Sequence, residues 1–279
     1  MEFSRVEFHR KGSGPTGSRR RVVAVLGLLL VVFTTGCSQA MSESGRVDEP
    51  RQSTRRAKVD LSALPEATTF GTTPAAPSDP APRSGTDGVV LRVERDIAVH
   101  DSVGGEAIAR LPATQFESPT WVPIVAERGD WARVLLPSRP NGSTGWVRLG
   151  TEKVHKAHSP YVVDVDVGNR RLAVLEDGRE IGSWSVGVGS ADTPTPRGRT
   201  FILASIKETV SDFSPIILPL GTHSETYTTY GGGPGTVALH GWPDPEVFGA
   251  PSSDGCVRVP GDALRLLRSL PLGTLVRLR

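Results

Sequence analysis

The stretch "LHGWPDPEVFGAPSSDGCVRV", residues 239–259, holds a histidine and a cysteine on either side of a proline-rich loop. His240 ends the apolar run "TVAL", which is typical of a buried strand. A cysteine is a good nucleophile only as the thiolate, a form that a nearby imidazole favours. Cys256 and His240 are therefore the minimum set for acyl transfer through a thioester. The pair alone does not distinguish a catalytic site from two unrelated residues.

The residue before the cysteine is Gly255, which allows a sharp backbone turn and a close approach by a substrate. Backbone N–H groups at such a turn stabilise negative charge on a reacting oxygen. We therefore predict that Gly255 and Cys256 donate the oxyanion hydrogen bonds.

The second cysteine, Cys37, lies at the end of an N-terminal export signal. The basic cluster Ser18–Arg21 precedes the apolar run "VVAVLGLLLVVFTTG", which is shorter than the roughly 20 residues of a membrane span. Gly36 and Cys37 resemble a bacterial lipoprotein processing site, with Thr34 where an aliphatic residue is usual, and the arginines resemble a twin-arginine motif. The resemblance implies that residues 1–37 are a signal peptide. It also implies that lipidated Cys37 anchors the protein to the outer face of the cytoplasmic membrane; an uncleaved signal anchor is the alternative.

Lipidation of Cys37 would leave Cys256 without a second cysteine, because the chain contains only two. In an oxidising compartment an unpaired thiol is a liability unless the protein uses it. The cysteine count therefore favours a chemical role for Cys256.

Residues 38–87 are predicted to be a disordered linker. Segments such as "TTPAAPSDPAPRSGTDG" are rich in Pro, Ser, Thr and Ala. A chain of this composition buries too little apolar surface to offset the loss of conformational entropy.

Residues 88–150 are predicted to form a small all-β domain. Segments such as "VVLRVE", "AIARLP" and "WARVLLP" carry β-branched residues in partial alternation and are separated by glycine-containing turns. The run "ERGDWARVLL" followed by "NGSTGWVRL" resembles bacterial SH3-like domains. Trp131 and Trp146 are expected to pack rather than bind a ligand, and a wall-binding module is the alternative.

Residues 159–279 are predicted to form a second β-rich domain with one or two short helices, so the whole chain is mainly β. "YVVDVDV", "RRLAVLE" and "IGSWSVGVG" read as antiparallel strands joined by tight turns. "DALRLLRSL" predicts a helix with Asp262 as its N-cap and with Leu264, Leu267 and Leu270 on one face.

The opening stretch closely resembles the L,D-transpeptidase catalytic domain of the YkuD type. Its landmarks are His240-Gly241, Phe248-Gly249 and "SDGCVR" at residues 253–258, and "VGVGSADTPTPRG" upstream resembles the glycine-rich segment of that family. The resemblance covers about the last 120 residues. It implies that Cys256 attacks the carbonyl of the third residue of a peptidoglycan stem tetrapeptide. His240 is then the general base, and carbapenems are expected to acylate the thiol.

The resemblance also implies supporting roles. The Gly241 carbonyl matches the group that orients the imidazole, and Arg258 matches an arginine that orients the loop or attracts a carboxylate. Many members carry histidine where this chain has Asp254, so Asp254 is either an acceptor for the His240 ring or a solvated loop residue. The candidate substrate-binding residues are Ser253, Arg258, Trp242 and Tyr230. We expect His223 to be a loop residue without a chemical role.

The predicted reaction links two stem peptides through their third residues, releases D-alanine and needs no cofactor. Transfer to water, which would make an L,D-carboxypeptidase, is an alternative, as is a non-catalytic wall-binding lipoprotein. A zinc site at His223, His240, Asp254 and Cys256 is disfavoured because no tight ligand pair such as HxH occurs. With 32 basic and 30 acidic residues, the chain lacks the basic excess typical of nucleic-acid binding.

Overall fold

The computed structural model describes residues 59–209, 213–230 and 232–279. The predicted signal peptide, Cys37 and the linker up to residue 58 lie outside these residues. Within the described residues, no helix is long and apolar enough to cross a membrane.

The first half of the described chain folds around a seven-stranded antiparallel sheet with the strand order β3-β2-β8-β7-β6-β1-β9. A two-stranded ribbon, β4 with β5, extends from it. The strands are β1 Val89–Val93, β2 Ile97–His100, β3 Ala107–Leu111, β4 Thr114–Gln115, β5 Ser118–Pro119, β6 Trp121–Arg128, β7 Trp131–Leu135, β8 Thr144–Arg148 and β9 Val154–His158.

The all-β character predicted for residues 88–150 is confirmed, but the sheet extends further. The last strand, β9, pairs along the whole of β1, from Val89 opposite His158 to Val93 opposite Val154. The first domain therefore ends at His158 and not at Gly150. Its resemblance to SH3-like domains stays a prediction.

The second half contains two larger sheets and one helix. One sheet has the order β12-β11-β10-β20-β14 and the other β15-β16-β17-β19, while β13 pairs with β18. The elements are β10 Tyr161–Asp166, β11 Arg171–Glu176, β12 Arg179–Ser185, β13 Val188–Gly189, β14 Gly198–Phe201, β15 Ile206–Lys207, β16 Ile216–His223, β17 Thr236–Gly241, β18 Pro251–Ser253, β19 Val257–Val259, α1 Gly261–Leu267 and β20 Leu275–Leu278.

The core of this half consists of apolar residues from both sheets and from α1. Val163 and Val165 of β10 meet Leu239 of β17 in one buried cluster. Leu264 and Leu267 of α1 join the same cluster, as predicted; Leu270 joins it too, but it lies in the turn after the helix and not on its face. Strands β17 and β19 are thereby fixed against a packed core, which also fixes His240 within β17 and the backbone of Cys256 directly before β19.

The N-cap predicted for α1 is wrong. The helix begins at Gly261 with Pro260 as its N-cap residue. The carboxylate of Asp262 instead accepts a hydrogen bond of 2.7 Å from the Trp184 indole nitrogen. The side chain still lies in the first helical turn, where negative charge is favourable.

The linker prediction is wrong for residues 59–87, because this segment is ordered against both halves of the molecule. Its backbone bonds to the first sheet and its loops, with Ala67 N–H donating to Arg110 and Thr73 N–H donating to Arg139, each at 2.8 Å. Asp79 forms a buried ion pair with Arg199 at 2.6 Å. The segment builds no core of its own, and its order comes from hydrogen bonds to surfaces that the remaining chain provides.

Candidate active site

The pairing of β17 with β19 brings His240 and Cys256 to one place. The two strands are parallel, with His240 opposite Arg258 and Leu239 opposite Val257. Residues opposite each other on neighbouring strands point to the same face, so Arg258 lies on the face of His240, and Cys256 directly precedes β19. His240, Cys256, Arg258 and Trp242 all line one cavity of about 210 Å³. The pair predicted from the motif therefore shares a cavity.

The His240 ring is held in one tautomer. Its Nδ1 lies 2.8 Å from the Gly241 carbonyl oxygen, and a carbonyl only accepts, so Nδ1 carries the proton. This is the contact predicted for the Gly241 carbonyl. The second nitrogen, Nε2, is left as the acceptor. Burial lowers the pKa of His240, the Gly241 carbonyl opposes that shift, and the Arg258 charge adds to it. The resting imidazole is therefore neutral near neutral pH.

Two residues that the sequence reasoning missed position this histidine. The Ser214 hydroxyl accepts a 2.7 Å hydrogen bond from the Gly241 N–H and donates one of 2.6 Å to the Ile216 carbonyl. The Phe213 ring meets the His240 ring edge-on at 5.1 Å. No motif marks either residue, because both are distant from His240 in the sequence and reach it only in the folded protein.

Trp242 and Arg258 form another wall of the cavity. The Arg258 guanidinium carbon lies 3.6 Å from the centre of the Trp242 ring, a close cation–π contact. Its Nη1 also donates to the Ser252 carbonyl at 2.5 Å. Arg258 is thus fixed beside the thiol, and its charge favours a thiolate there.

The turn before Cys256 is built by hydrogen bonds among its own residues. Gly255 has φ = +114°, a conformation that favours glycine. The Ser253 hydroxyl accepts from the Gly255 N–H at 3.2 Å and donates to the Cys256 carbonyl at 2.5 Å. The Thr195 hydroxyl donates to the Gly255 carbonyl at 2.9 Å, which explains the upstream threonine-proline segment.

This turn corrects one prediction. The Gly255 N–H is already bonded to Ser253, so it does not point to a substrate oxygen as an oxyanion donor would. Ser253 lines the cavity, with its hydroxyl engaged within the turn, and its role in substrate binding stays a prediction.

Cys256 is a free cysteine of intermediate exposure as a residue. Burial raises the pKa of this thiol above its usual value, while the Ala238 backbone and the Arg258 charge act in the opposite direction. The Asp254 charge adds to the increase. At rest the thiol and the imidazole are both neutral, so the thiolate has to form by proton transfer when a substrate is bound.

Asp254 does not orient His240, since the Nδ1 proton of that ring is already taken by Gly241. Its carboxylate instead accepts a 3.0 Å hydrogen bond from the Tyr230 hydroxyl, which raises the Tyr230 pKa. Tyr230 is 55% exposed and lines the cavity together with Tyr227, whose ring centre lies 5.6 Å away. Tyr230, a candidate substrate-binding residue from the sequence, therefore lies at the cavity, and its role in binding stays a prediction.

His223 was expected in a loop but is the last residue of β16 and is 0% exposed. Its Nε2 lies 2.7 Å from the Thr69 carbonyl oxygen, so this nitrogen carries the proton. Burial lowers the pKa of His223 to about 4. Among the residues that the structure describes, no group of three His, Cys, Asp or Glu side chains is arranged to hold a metal.

Comparison with known proteins places the second half of the chain in a family. A family model for the L,D-transpeptidase catalytic domain, YkuD, matches residues 160–278. A Bacillus subtilis relative, which carries the name L,D-transpeptidase YqjB, is 30% identical over 42% of this chain and 69% of its own length. The chain belongs to the YkuD family of L,D-transpeptidases. Membership indicates an acyltransferase whose catalytic domain is the second half of the described chain.

Two further similarities involve proteins of the same kind. A Bacillus licheniformis relative named L,D-transpeptidase YkuD is 27% identical over 55% of this chain and 89% of its own length. A solved L,D-transpeptidase from Mycobacterium smegmatis is similar over 57% of this chain and 82% of that one, with 14% identity and a TM-score of 0.39. Family membership follows from the sequence matches alone.

Proposed function

We propose that this protein is a peptidoglycan L,D-transpeptidase that forms 3-3 cross-links through a thioester on Cys256. The observation that carries the proposal is the shared cavity of Cys256 and His240, with His240 fixed so that its Nε2 accepts a proton. Family membership supports stem peptides as the substrate.

In the first step the His240 Nε2 takes the thiol proton, and the Cys256 sulfur attacks the carbonyl carbon of the third stem residue. The bond from that carbon to the D-alanine nitrogen breaks, and the imidazolium returns the proton to the leaving amine. The product is a thioester on Cys256 and free D-alanine. The Cys256 N–H remains as the candidate donor to the carbonyl oxygen, since the Gly255 N–H is engaged.

In the second step the side-chain amine of the third residue on a neighbouring stem attacks the thioester. His240 accepts the amine proton and passes it to the departing thiolate, which restores the resting pair. Water as the acceptor would release a tripeptide and make the protein an L,D-carboxypeptidase.

The direct test mixes the purified protein with a disaccharide-tetrapeptide and identifies the products by mass spectrometry. We expect a dimer that has lost one D-alanine, absent with Cys256→Ala. Tripeptide without dimer would establish the carboxypeptidase reaction. Wall binding without either product, unchanged in Cys256→Ala, would support the non-catalytic lipoprotein.

We further propose that lipidated Cys37 anchors the protein outside the cytoplasm, in reach of the wall. The lipoprotein-like sequence around Cys37 supports this placement. Metabolic labelling with a fatty acid should label the wild-type chain and not Cys37→Ala. Equal labelling of both proteins would contradict lipidation at this residue.

A further inference from the structure

We propose that Arg139, in the first β domain, is a positioning residue for the active site: it holds the loop that carries Tyr227 and Tyr230. The inference rests on the proposed function, because its readout is turnover of a stem peptide. It assigns to the first domain a part in shaping the catalytic cavity.

The Arg139 guanidinium binds three carbonyls of the described residues 224–230 and 232–235, called here the tyrosine loop. Its Nη1 donates to the Ser224 oxygen at 3.2 Å, and its Nη2 donates to the Tyr227 and Pro234 oxygens at 3.1 and 3.0 Å. These carbonyls come from both ends of the loop. A planar, permanently charged group with several donors can bridge them, which a single-point ammonium group cannot do equally well.

The backbone of the tyrosine loop is shaped to fit around this group. The Ser224 N–H donates to the Gly235 carbonyl at 2.8 Å and closes the base of the loop. Gly235 has φ = +70°, and a Cβ there would lie 2.4 Å from the Tyr227 oxygen and 3.3 Å from Nη2 of Arg139. A side chain at position 235 would clash with the Tyr227 carbonyl, so only glycine fits there.

The backbone of Arg139 is itself held by the 59–87 segment. Its N–H donates to the Gly71 carbonyl at 3.1 Å, and its carbonyl accepts from Thr73 at 2.8 Å. Two residues further, the Asn141 side chain bonds to both backbone groups of His223, at 2.7 and 2.9 Å. Arg139 and Asn141, in the loop between β7 and β8, therefore bind the chain at the end of β16, where the tyrosine loop begins.

The tyrosine loop links the hydrogen bonds of Arg139 to the surroundings of Cys256. Tyr227 and Tyr230 line the cavity that contains Cys256, and Tyr230 bonds to Asp254, two residues before the thiol. His240 lies in β17 and Cys256 directly precedes β19, so both are outside the loop. Loss of the Arg139 contacts should therefore disturb substrate binding more than the chemical groups.

The test measures kcat and KM of the full chain for a disaccharide-tetrapeptide. We expect Arg139→Ala to raise KM about tenfold with kcat changed less than threefold, and Arg139→Lys to fall in between. Arg95→Ala is the matched control, since Arg95 is an exposed arginine of the same domain that pairs with Glu152, and it should behave as wild type. If Arg139→Ala does not fold, Arg139→Lys against the control decides the question.

Alkylation of Cys256 by iodoacetamide, which needs no tyrosine loop, should proceed at the wild-type rate in both Arg139 variants. Wild-type KM in Arg139→Ala, or an equal loss in the Arg95 control, would overturn the inference. A kcat loss with slowed alkylation would also overturn it, because the variant would then have damaged the nucleophile. Absence of turnover in the wild type would instead count against the proposed function.

Discussion

His223 and His240 lie towards opposite ends of the same pair of strands, and burial lowers the pKa of both. They differ in tautomer and in surroundings. His223 donates from Nε2 to Thr69 and is fully enclosed, whereas His240 donates from Nδ1 to Gly241 and borders the cavity of Cys256. Burial and a lowered pKa therefore do not distinguish the histidine proposed to be catalytic; its place in the cavity of Cys256 does.

The largest expected effect is on kcat, and it should distinguish His240 from His223. His240→Gln should lower kcat for dimer formation about 10³-fold, because the thiol loses its proton acceptor. His223→Gln is the matched control and should stay within about threefold of wild type, since His223 does not line the cavity. Comparable losses in the two variants would mean that the geometry of His240 has no special role.

The second prediction concerns the acid stability of the fold. The folded pKa of His223, about 4, lies below its ordinary value of 6.5. Between these values the unfolded chain binds a proton that the folded protein does not, so the free energy of unfolding falls as the pH drops from 6.5 to 4. The loss from this residue should reach about 3 kcal/mol and be absent above pH 7.

Urea unfolding at a series of pH values measures this slope. His223→Gln should flatten it, while His240, whose pKa is also lowered, leaves a residual dependence in the same direction. An unchanged slope in His223→Gln would show that the enclosed histidine does not control acid stability.

A third prediction separates stability from activity at neutral pH. His223→Ala removes the contact to Thr69 and leaves a cavity between the 59–87 segment and β16, so it should cost about 2 kcal/mol of unfolding free energy. The folded fraction should keep its kcat. A stable variant with lost activity would place His223 in the chemistry after all.

Much of the site follows from short motifs, and the rest depends on tertiary contacts. The motifs around Cys256 predict the nucleophile, the histidine and the Gly241 contact, because these roles depend on local spacing along two strands. Ser214 and Arg139 act through hydrogen bonds to backbone groups distant in the sequence, Gly241 for the serine and the 224–235 region for the arginine. Such bonds leave no periodic or compositional signal.

The same reason explains the error over residues 59–87. Composition predicts whether a segment can build its own core, and this one cannot. It does not predict that Asp79 forms an ion pair with Arg199, which lies 120 positions further along the chain.

The smallest effect concerns Asp254, which bonds to Tyr230 and not to His240. Asp254→Ala should change kcat by less than about threefold, because an exposed hydrogen bond contributes little. Steady-state kinetics with the tetrapeptide donor checks this. A hundredfold loss would restore the orienting role that the motif left open.

The central claim is that Cys256 carries the acyl group, and intact-protein mass spectrometry tests it most directly. The full chain is mixed with a tetrapeptide donor without an acceptor, quenched in acid and weighed, with peptide mapping of any adduct. We predict a mass gain equal to the donor less D-alanine on Cys256, slower in His240→Gln and absent in Cys256→Ala. Turnover without an adduct on Cys256, or an adduct on another residue, would contradict the account.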